Sequence, residues 1–328
     1  MKNNFTGPLD SHINRYIAHK RSLGKQLVKV EPILHLLDGF LSARGVLTLS
    51  QITPNHIDGF IASRQRKSVG SYNGLLGAVR GLFDWMVAHE ILPESPLHCQ
   101  SRRIITAFRP FLFSAEQVRH LLALAGKLPD NPRALFRGEI YKMIFTLLYA
   151  LGLRVREVSR LLRKDVDFDA QILTIRETKF GKDRLVPFGP RMSHAIATFI
   201  HQEEMRFGPI PSDYPLFSFD KHKRKPISTN TISWTFHKLL PALELTVPSG
   251  TTPPHLHCLR HSFAVATLLG WYRAGVDPMS RLLDLSTFLG HVSPSSTAVY
   301  LTITAELLDS ANERFARFAA NSRKAGVR

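Results

Sequence analysis

The stretch "GEIYKMIFTLLYALGLRVREVSRLL", residues 138–162, decides the fold of its half of the chain. Ile140, Met143, Ile144, Leu147, Leu148 and Leu151 recur at the spacing of a single helical face, so the segment predicts a helix whose stripe is buried. Gly152 stands where a left-handed C-cap is needed. A second helix is expected at once, with Val155, Val158, Leu161 and Leu162 inward. Arg154 and Glu157 then fall at its N-terminal end, where unpaired backbone N–H groups favour an anion. A surface arginine paired with Glu157 fits this segment equally well.

Downstream, "ILTIRETKFGKDRLVPF" (172–188) switches to period two. Ile172, Thr174 and Arg176 alternate with Leu173, Ile175 and Glu177, and Leu185, Val186 and Phe188 follow a turn at Gly181, which reads as a β-hairpin with Lys179 and Lys182 at its tip. The turn lacks the Gly-x4-Gly-Lys-Ser/Thr pattern of a nucleotide-binding loop. Upstream, the first hundred residues read as four or five helices. Their faces are Leu9, Ile13, Tyr16 and Ile17; Val30, Ile33, Leu34, Leu37, Phe40 and Leu41; a helix capped by Thr53 with Pro54 at its first position; and Leu75, Val79, Leu82, Phe83 and Met86. "LPESPLHCQSRRIITAFRPFLFS" (92–114) breaks the pattern with three prolines and a basic pair, and "SAEQ" opens the next helix as a capping box. The expectation is a mainly α chain with a small β-hairpin or sheet (α+β), divided into residues 1–105 and 106–328.

Composition limits the partners. The chain has 328 residues, 44% of them hydrophobic, and no apolar run long enough to span a bilayer, so a membrane is not expected as a partner. Its start, "MKNNFTGPLD", lacks the apolar core of a secretory signal, and two cysteines, Cys99 and Cys258, do not make a disulfide framework, so the chain reads as cytoplasmic. With 43 Lys+Arg against 26 Asp+Glu the formal charge is +17, of which residues 1–110 carry +7 and the remainder +10. A basic excess on both halves suits a clamp on a nucleic-acid duplex.

"PHLHCLRHSFA" (254–264) crowds His255, His257, Cys258, Arg260 and His261 together. Neither His98-Cys99 nor His257-Cys258 has the spacing of a zinc site. A helix from about His257 to Leu269 instead puts His257 and Arg260, three apart, on one face at its start, which suits an anion: the arginine fork bonds two phosphate oxygens, and histidine exchanges a proton near neutral pH. "FLGHVSPSSTAVYL" adds His291 after a glycine and Tyr300 beyond a turn. Taken alone, Tyr300 reads as a core aromatic with a satisfied hydroxyl.

The order of these features resembles the tyrosine recombinase, or phage integrase, family, including its Xer-type members. "YNGLLGAVRGLFDWMVAHEILPESPL" is similar to the end of that family's helical core-binding domain, and "LLYALGLRVREVSRLL", "TKFGKDRLVPF", "HCLRHSFA" and "FLGH" match its catalytic landmarks in order. The resemblance implies a SAM-like DNA-binding domain over 1–105 and a catalytic domain over 106–328. It implies an active site of Arg154, Lys179, His257, Arg260, His291 and Tyr300, with no cofactor and no metal. In that reading Arg154 and Arg260 bind the nonbridging phosphate oxygens, His257 takes the Tyr300 proton, Lys179 protonates the leaving 5′ oxygen and His291 positions the phosphate. Tyr300 becomes joined to the 3′ phosphate. Lys182 competes with Lys179, Glu157 orients Arg154 or stabilises its helix, and His255 and His261 serve packing or phosphate-backbone contacts.

Double-stranded DNA and a homotetramer on DNA are the implied partners. "WYRAGVD…LSTFLGHVSPSSTAVYL" resembles a transposon-borne branch whose related recombinases are encoded together, which would add those as partners. The first helix begins near the N-terminus, leaving no room for the arm-binding domain of lambda-type integrases. Two departures stand out: a longer segment between Arg260 and His291, and Leu151 where many members have Thr. After Tyr300, Leu307, Leu308, Ala311, Phe315 and Phe318 share one helical face, expected to pack on a neighbouring protomer or to close its own core. The rival functions are a type IB topoisomerase and a catalytically idle DNA-binding regulator.

Overall fold

The computed structural model describes residues 7–103, 109–176, 183–220, 222, 224–291 and 293–302, and it divides into two compact units, Met1–Ala107 and Phe108–Arg328. In the first unit, α1 (Asp10–Ser22), α2 (Val30–Ser42), α3 (Pro54–Ser63) and α4 (Val69–Ala88) close over the stripes read from the sequence. Leu9, Ile13, Leu34, Leu37, Leu41, Ile57, Val79, Leu82 and Phe83 are all buried, whereas Val30 and Ile33 lie half-buried at the margin. Thr53 caps α3 in a reciprocal arrangement with His56. The buried Asp38 carboxylate accepts the backbone N–H groups of Gly7 (2.8 Å) and Leu9 (3.0 Å), which ties the entry of α1 to α2. A buried charge is tolerated there because backbone donors satisfy it.

The second unit is built around α6 (Arg137–Ala150). Its predicted stripe is buried from Ile140 to Leu151, and Tyr141 and Phe145 are buried too, so the helix is enclosed on more than one face. α5 (Ala115–Gly126) packs against it and starts at the expected capping box, Ser114 Oγ accepting from Gln117 N (3.1 Å) and Gln117 Oε1 from Ser114 N (2.9 Å). α7 (Val155–Arg160) is shorter than its hydrophobic spacing suggests. Leu161 turns extended, its carbonyl accepts from Leu216 N (2.7 Å) and Leu162 bridges to Pro215. A competing strand-like pairing therefore ends the helix before Leu162 can join its face.

Three short strands follow in an antiparallel sheet of order β1-β2-β3: β1 (Val166–Asp167), β2 (Ile172–Ile175) and β3 (Arg184–Pro187). Leu173 faces Val186 in register, and both, with Ile175, enter the core, while Leu185 points to solvent. The hairpin tip with Lys179 and Lys182 lies outside the described residues. The unit is completed by α8 (Pro190–Phe207), α9 (Thr229–Leu239), α10 (Leu256–Arg273), α11 (Leu282–Leu289) and α12 (Ser295–Ala298), and a 3₁₀ turn over Val299–Thr302 carries Tyr300. The apolar face from Leu307 to Phe318 also falls outside the described residues. Among the described residues, no helix is long and apolar enough to cross a membrane.

Gly152 sets the exit from α6. Its φ of +57° is left-handed, as its place in the sequence predicts, and a Cβ there would meet Phe263 Cδ1 at 2.6 Å and Leu289 Cδ2 at 2.9 Å. Gly250 also has a left-handed φ, +77°, but open space around it. Gly152→Ala is therefore expected to destabilise the second unit by about 2–4 kcal/mol, the backbone and overpacking costs together, and Gly250→Ala by about 1 kcal/mol. Urea unfolding of both variants checks this; equal losses would show that the close approach of α10 and α11 to Gly152 is not a constraint.

Candidate active site

Arg260 is a buried charge, 1% exposed, on the second turn of α10. Its Nη1 donates to the Gly152 carbonyl (2.5 Å) and its Nη2 to the Leu289 carbonyl (2.6 Å). The Leu289 carbonyl ends α11 and the Gly152 carbonyl lies two residues beyond the end of α6, and each helix exits through a left-handed glycine, Gly152 and Gly290. Carbonyls at and just beyond helix C-termini are left without intrahelical partners, so this pair makes a seat for a buried guanidinium. Burial first, then the Arg154 charge, lowers the Arg260 pKa to about 9, against the pull of Glu157, and the group stays protonated at neutral pH. Its Nε has no partner among the described residues.

Arg154 caps α7, in the extended conformation just before the helix. Its Nη2 donates to the Gly290 carbonyl (2.8 Å) and its Nη1 to Glu157 Oε1 (2.7 Å), and Glu157 Oε2 accepts the Arg154 backbone N–H (2.8 Å). Glu157 thus occupies the end of α7 that the sequence left open to an anion, and positive charge at this place comes from guanidinium groups instead. Arg184, the first residue of β3, grips the same carboxylate with both ends of its fork, at 2.6 and 3.0 Å. Burial alone would raise the Glu157 carboxyl, but hydrogen bonds and charge from Arg184 and then Arg154 outweigh it and hold it below the ordinary range. One carboxylate faces Arg154, Arg184 and Arg260, which leaves net positive charge in the site.

The histidines line the other side. His257 is crowded by its neighbours yet open to solvent on one face, and His261, one turn on, stands edge-on to it with ring centroids 4.5 Å apart. His291 follows Gly290, and its Nδ1 lies 2.7 Å from Thr297 Oγ1. Burial, then nearby positive charge, lowers His257 to about 4 and His291 to about 4; for His261 burial, then His257, lowers it to about 3. All three are neutral imidazoles at pH 7. Tyr300 is buried, its ring 6.4 Å from that of His291, and its hydroxyl lies 2.8 Å from His261 Nδ1. Burial raises the phenol, with Arg260 and Arg154 opposing.

Five of the six expected residues, Arg154, His257, Arg260, His291 and Tyr300, therefore gather where α6, α7, α10 and α11 meet. The sixth, Lys179, lies outside the described residues. Two members of the cluster were not anticipated. His261, read as a packing or backbone-contact residue, is the hydrogen-bond partner of the Tyr300 hydroxyl; the signal available was its place one helical turn from His257. Arg184, just before the Leu185 that opens the predicted return strand, carried no signal of its own. Cys258 Sγ lies 3.1 Å from His255 Nδ1, Cys99 lies against Asp58 in the first unit, and no cluster of metal-ligating side chains forms among the described residues.

The phage integrase family model matches residues 113–306, a span that contains the whole cluster. The integrase/recombinase y4rB of Sinorhizobium fredii is 33% identical over 310 residues, covering 93% of this chain and 96% of its own length. The tyrosine recombinase XerC of Listeria monocytogenes is 25% identical over 273 residues, 83% of this chain and 84% of its own. Among solved structures, the Tn1549 transposon integrase in complex with transposon right end DNA shares the fold with a TM-score of 0.63 at 18% identity, covering 94% of this chain and 99% of that one. A lambda integrase tetramer bound to a Holliday junction does so with a TM-score of 0.62 at 16% identity, covering 91% and 78%. With a family model matching more than half of its length and a relative of this identity along nearly all of it, the chain belongs to the phage integrase family of tyrosine recombinases.

Proposed function

We propose that the chain is a site-specific DNA recombinase that cuts and rejoins duplex DNA through a 3′-phosphotyrosine at Tyr300. The observation that carries this reading is that Arg154 and Arg260, in a site of net positive charge, act electrostatically on the buried Tyr300 phenol. Attack on a phosphodiester spreads negative charge over the nonbridging oxygens, and positioned cations lower that barrier most. Arg154 and Arg260 supply them; the unpartnered Nε of Arg260 is a donor not yet committed to a carbonyl. His291 positions the phosphate and His257, neutral at pH 7, accepts the phenolic proton. Lys179 gives a proton to the departing 5′ oxygen. The phosphotyrosine retains the energy of the broken bond, so a 5′ hydroxyl reverses the step without ATP, and no metal is required by this charge set.

The Tyr300 hydroxyl lies 2.8 Å from His261 Nδ1, a contact the phenol exchanges for the phosphate on attack. The partners proposed are double-stranded DNA and a homotetramer on it, with related recombinases as further partners. The DNA-bound integrase structures of the same fold and the +17 charge support this reading. Residues 1–105 serve as the SAM-like second jaw on the duplex, and the protein works at the nucleoid in the cytoplasm. The topoisomerase and idle-regulator readings are not favoured, because the family match covers the integrase-type catalytic region and the cluster retains its nucleophile and both arginines.

The substrate is recoverable from a pool of nicked duplexes with randomised core sequence, by sequencing those the protein traps covalently. Wild type is expected to trap duplexes as a denaturation-resistant species, and Tyr300→Phe to trap none while binding them with unchanged affinity, because only the nucleophilic oxygen is lost. An adduct that persists in Tyr300→Phe would remove Tyr300 from the reaction. On a trapped duplex, Arg260→Lys should slow adduct formation by about 100-fold or more, since an ammonium cannot reach two carbonyls and a phosphate together. A wild-type rate would place Arg260 outside the chemistry.

The histidines give a pH signature. Their folded pKa values lie below the ordinary 6.5, so the unfolded chain binds more protons between those values and 6.5. Stability contributed by His257, His261 and His291 is complete above 6.5 and is lost as pH falls toward 4. Ring resonances followed by NMR should titrate near 4 for His257 and His291 and near 3 for His261. A midpoint near 6.5 in any of them would contradict the buried, cation-flanked site.

A further inference from the structure

We propose that Arg184 is a positioning residue of the strand-cleavage reaction, acting through Glu157 to keep Arg154 available to the scissile phosphate. The proposal rests on the recombinase reading above and concerns a residue with no place in the six-residue set. Glu157 is 8% exposed and accepts on both edges: Oε1 takes Nη1 of Arg154 and Nη1 of Arg184, and Oε2 takes the Arg154 backbone N–H and Nη2 of Arg184. Arg184 therefore has the bidentate hold, and Arg154 gives the carboxylate a single side-chain nitrogen, turning its other terminal nitrogen to the Gly290 carbonyl. A buried carboxylate deprived of Arg184 would have one guanidinium left to satisfy it. It would then close on Arg154 as a fork-to-fork pair, which is the strongest geometry open to them. That pair would take the donors and the charge that a phosphate needs.

A second observation places Arg184 against the other side of the site. Its guanidinium lies on the Cα of Gly290, where a Cβ would meet Nη1 at 2.6 Å and Cδ at 2.9 Å. Gly290 is the left-handed exit of α11, its carbonyl holds Arg154, and the next residue is His291. Arg184 thus packs against the glycine whose carbonyl holds Arg154 and fixes the carboxylate that Arg154 shares, while remaining nearly buried, at 11% exposure, and beyond the reach of a surface ion-pair role. Its charge also adds to the field on Arg260 and His291.

The test uses the full chain and a nicked duplex recovered by wild-type trapping, with affinity and single-turnover adduct formation measured separately. Arg184→Met should bind the duplex within about threefold of wild type and form adduct about 30- to 100-fold more slowly, below the loss for a direct transition-state donor. Arg184→Lys, which keeps the charge and loses the fork, should fall between them. The decisive variant is Arg184→Met combined with Glu157→Gln. Neutralising the carboxylate releases Arg154, so the double variant should be at least tenfold faster than Arg184→Met, an interaction a packing role would not produce. A wild-type rate in Arg184→Met, or losses that simply multiply in the double variant, would overturn the proposal. If Arg184→Met does not fold, as judged by its melting transition, Arg184→Lys alone carries the test: a wild-type rate there overturns it. Absence of any adduct with wild type would instead count against the recombinase reading.

Discussion

A buried guanidinium tying two helix ends together is the constraint on which the rest of the catalytic unit depends. Arg260 cannot be buried without acceptors, and its acceptors are the carbonyl of Gly152, just past the end of α6, and that of Leu289, the last of α11. For those carbonyls to point at one atom group, both helices must stop there and both chains must turn away through left-handed residues, which Gly152 and Gly290 permit. The turn after α6 delivers Arg154 and Glu157, the turn after α11 delivers His291, and α10 itself carries His257 and His261. Tyr300 then closes the cluster from the 3₁₀ turn beyond α12. Arg154, His257, His291 and Tyr300 each sit within two residues of a helix end, and His261 lies one position from Arg260.

The electrostatics follow from the same packing. Helix C-termini stabilise a cation, but they leave it crowded by other cations, and Glu157 is the counter-charge that Arg154 and Arg184 share. Burial first, and then the excess positive charge, keeps protons off the neighbouring imidazoles, so three histidines stand neutral beside guanidinium groups. A phosphodiester in the site would relieve the repulsion among the arginines and raise the basicity of the histidines.

Much of this was legible in the sequence, for reasons tied to particular residues. The period of α6, the capping box at Ser114, the left-handed exit at Gly152 and the alternation of β2 and β3 are local signals, and local signals survive folding here because the core is built from them. The ordered set from Arg154 to Tyr300 was legible through resemblance, since residues so distant along the chain announce no proximity by themselves. What escaped is what depends on tertiary geometry. Leu161 breaks α7 because Leu216 pairs with it. His261 reaches Tyr300 across 39 positions, and Arg184 reaches Glu157 across 27. Neither pair has a period or a motif.

The central claim is that the Arg260 seat creates an anion site in front of Tyr300, and a crystal of the full chain soaked in tungstate, a heavy tetrahedral stand-in for phosphate, tests it most directly. The account predicts the strongest anomalous peak of the catalytic unit within hydrogen-bonding reach of both Arg154 and Arg260, on the side of Tyr300 and His291. Tungstate bound elsewhere on the basic surface, with nothing between those two arginines, would contradict it.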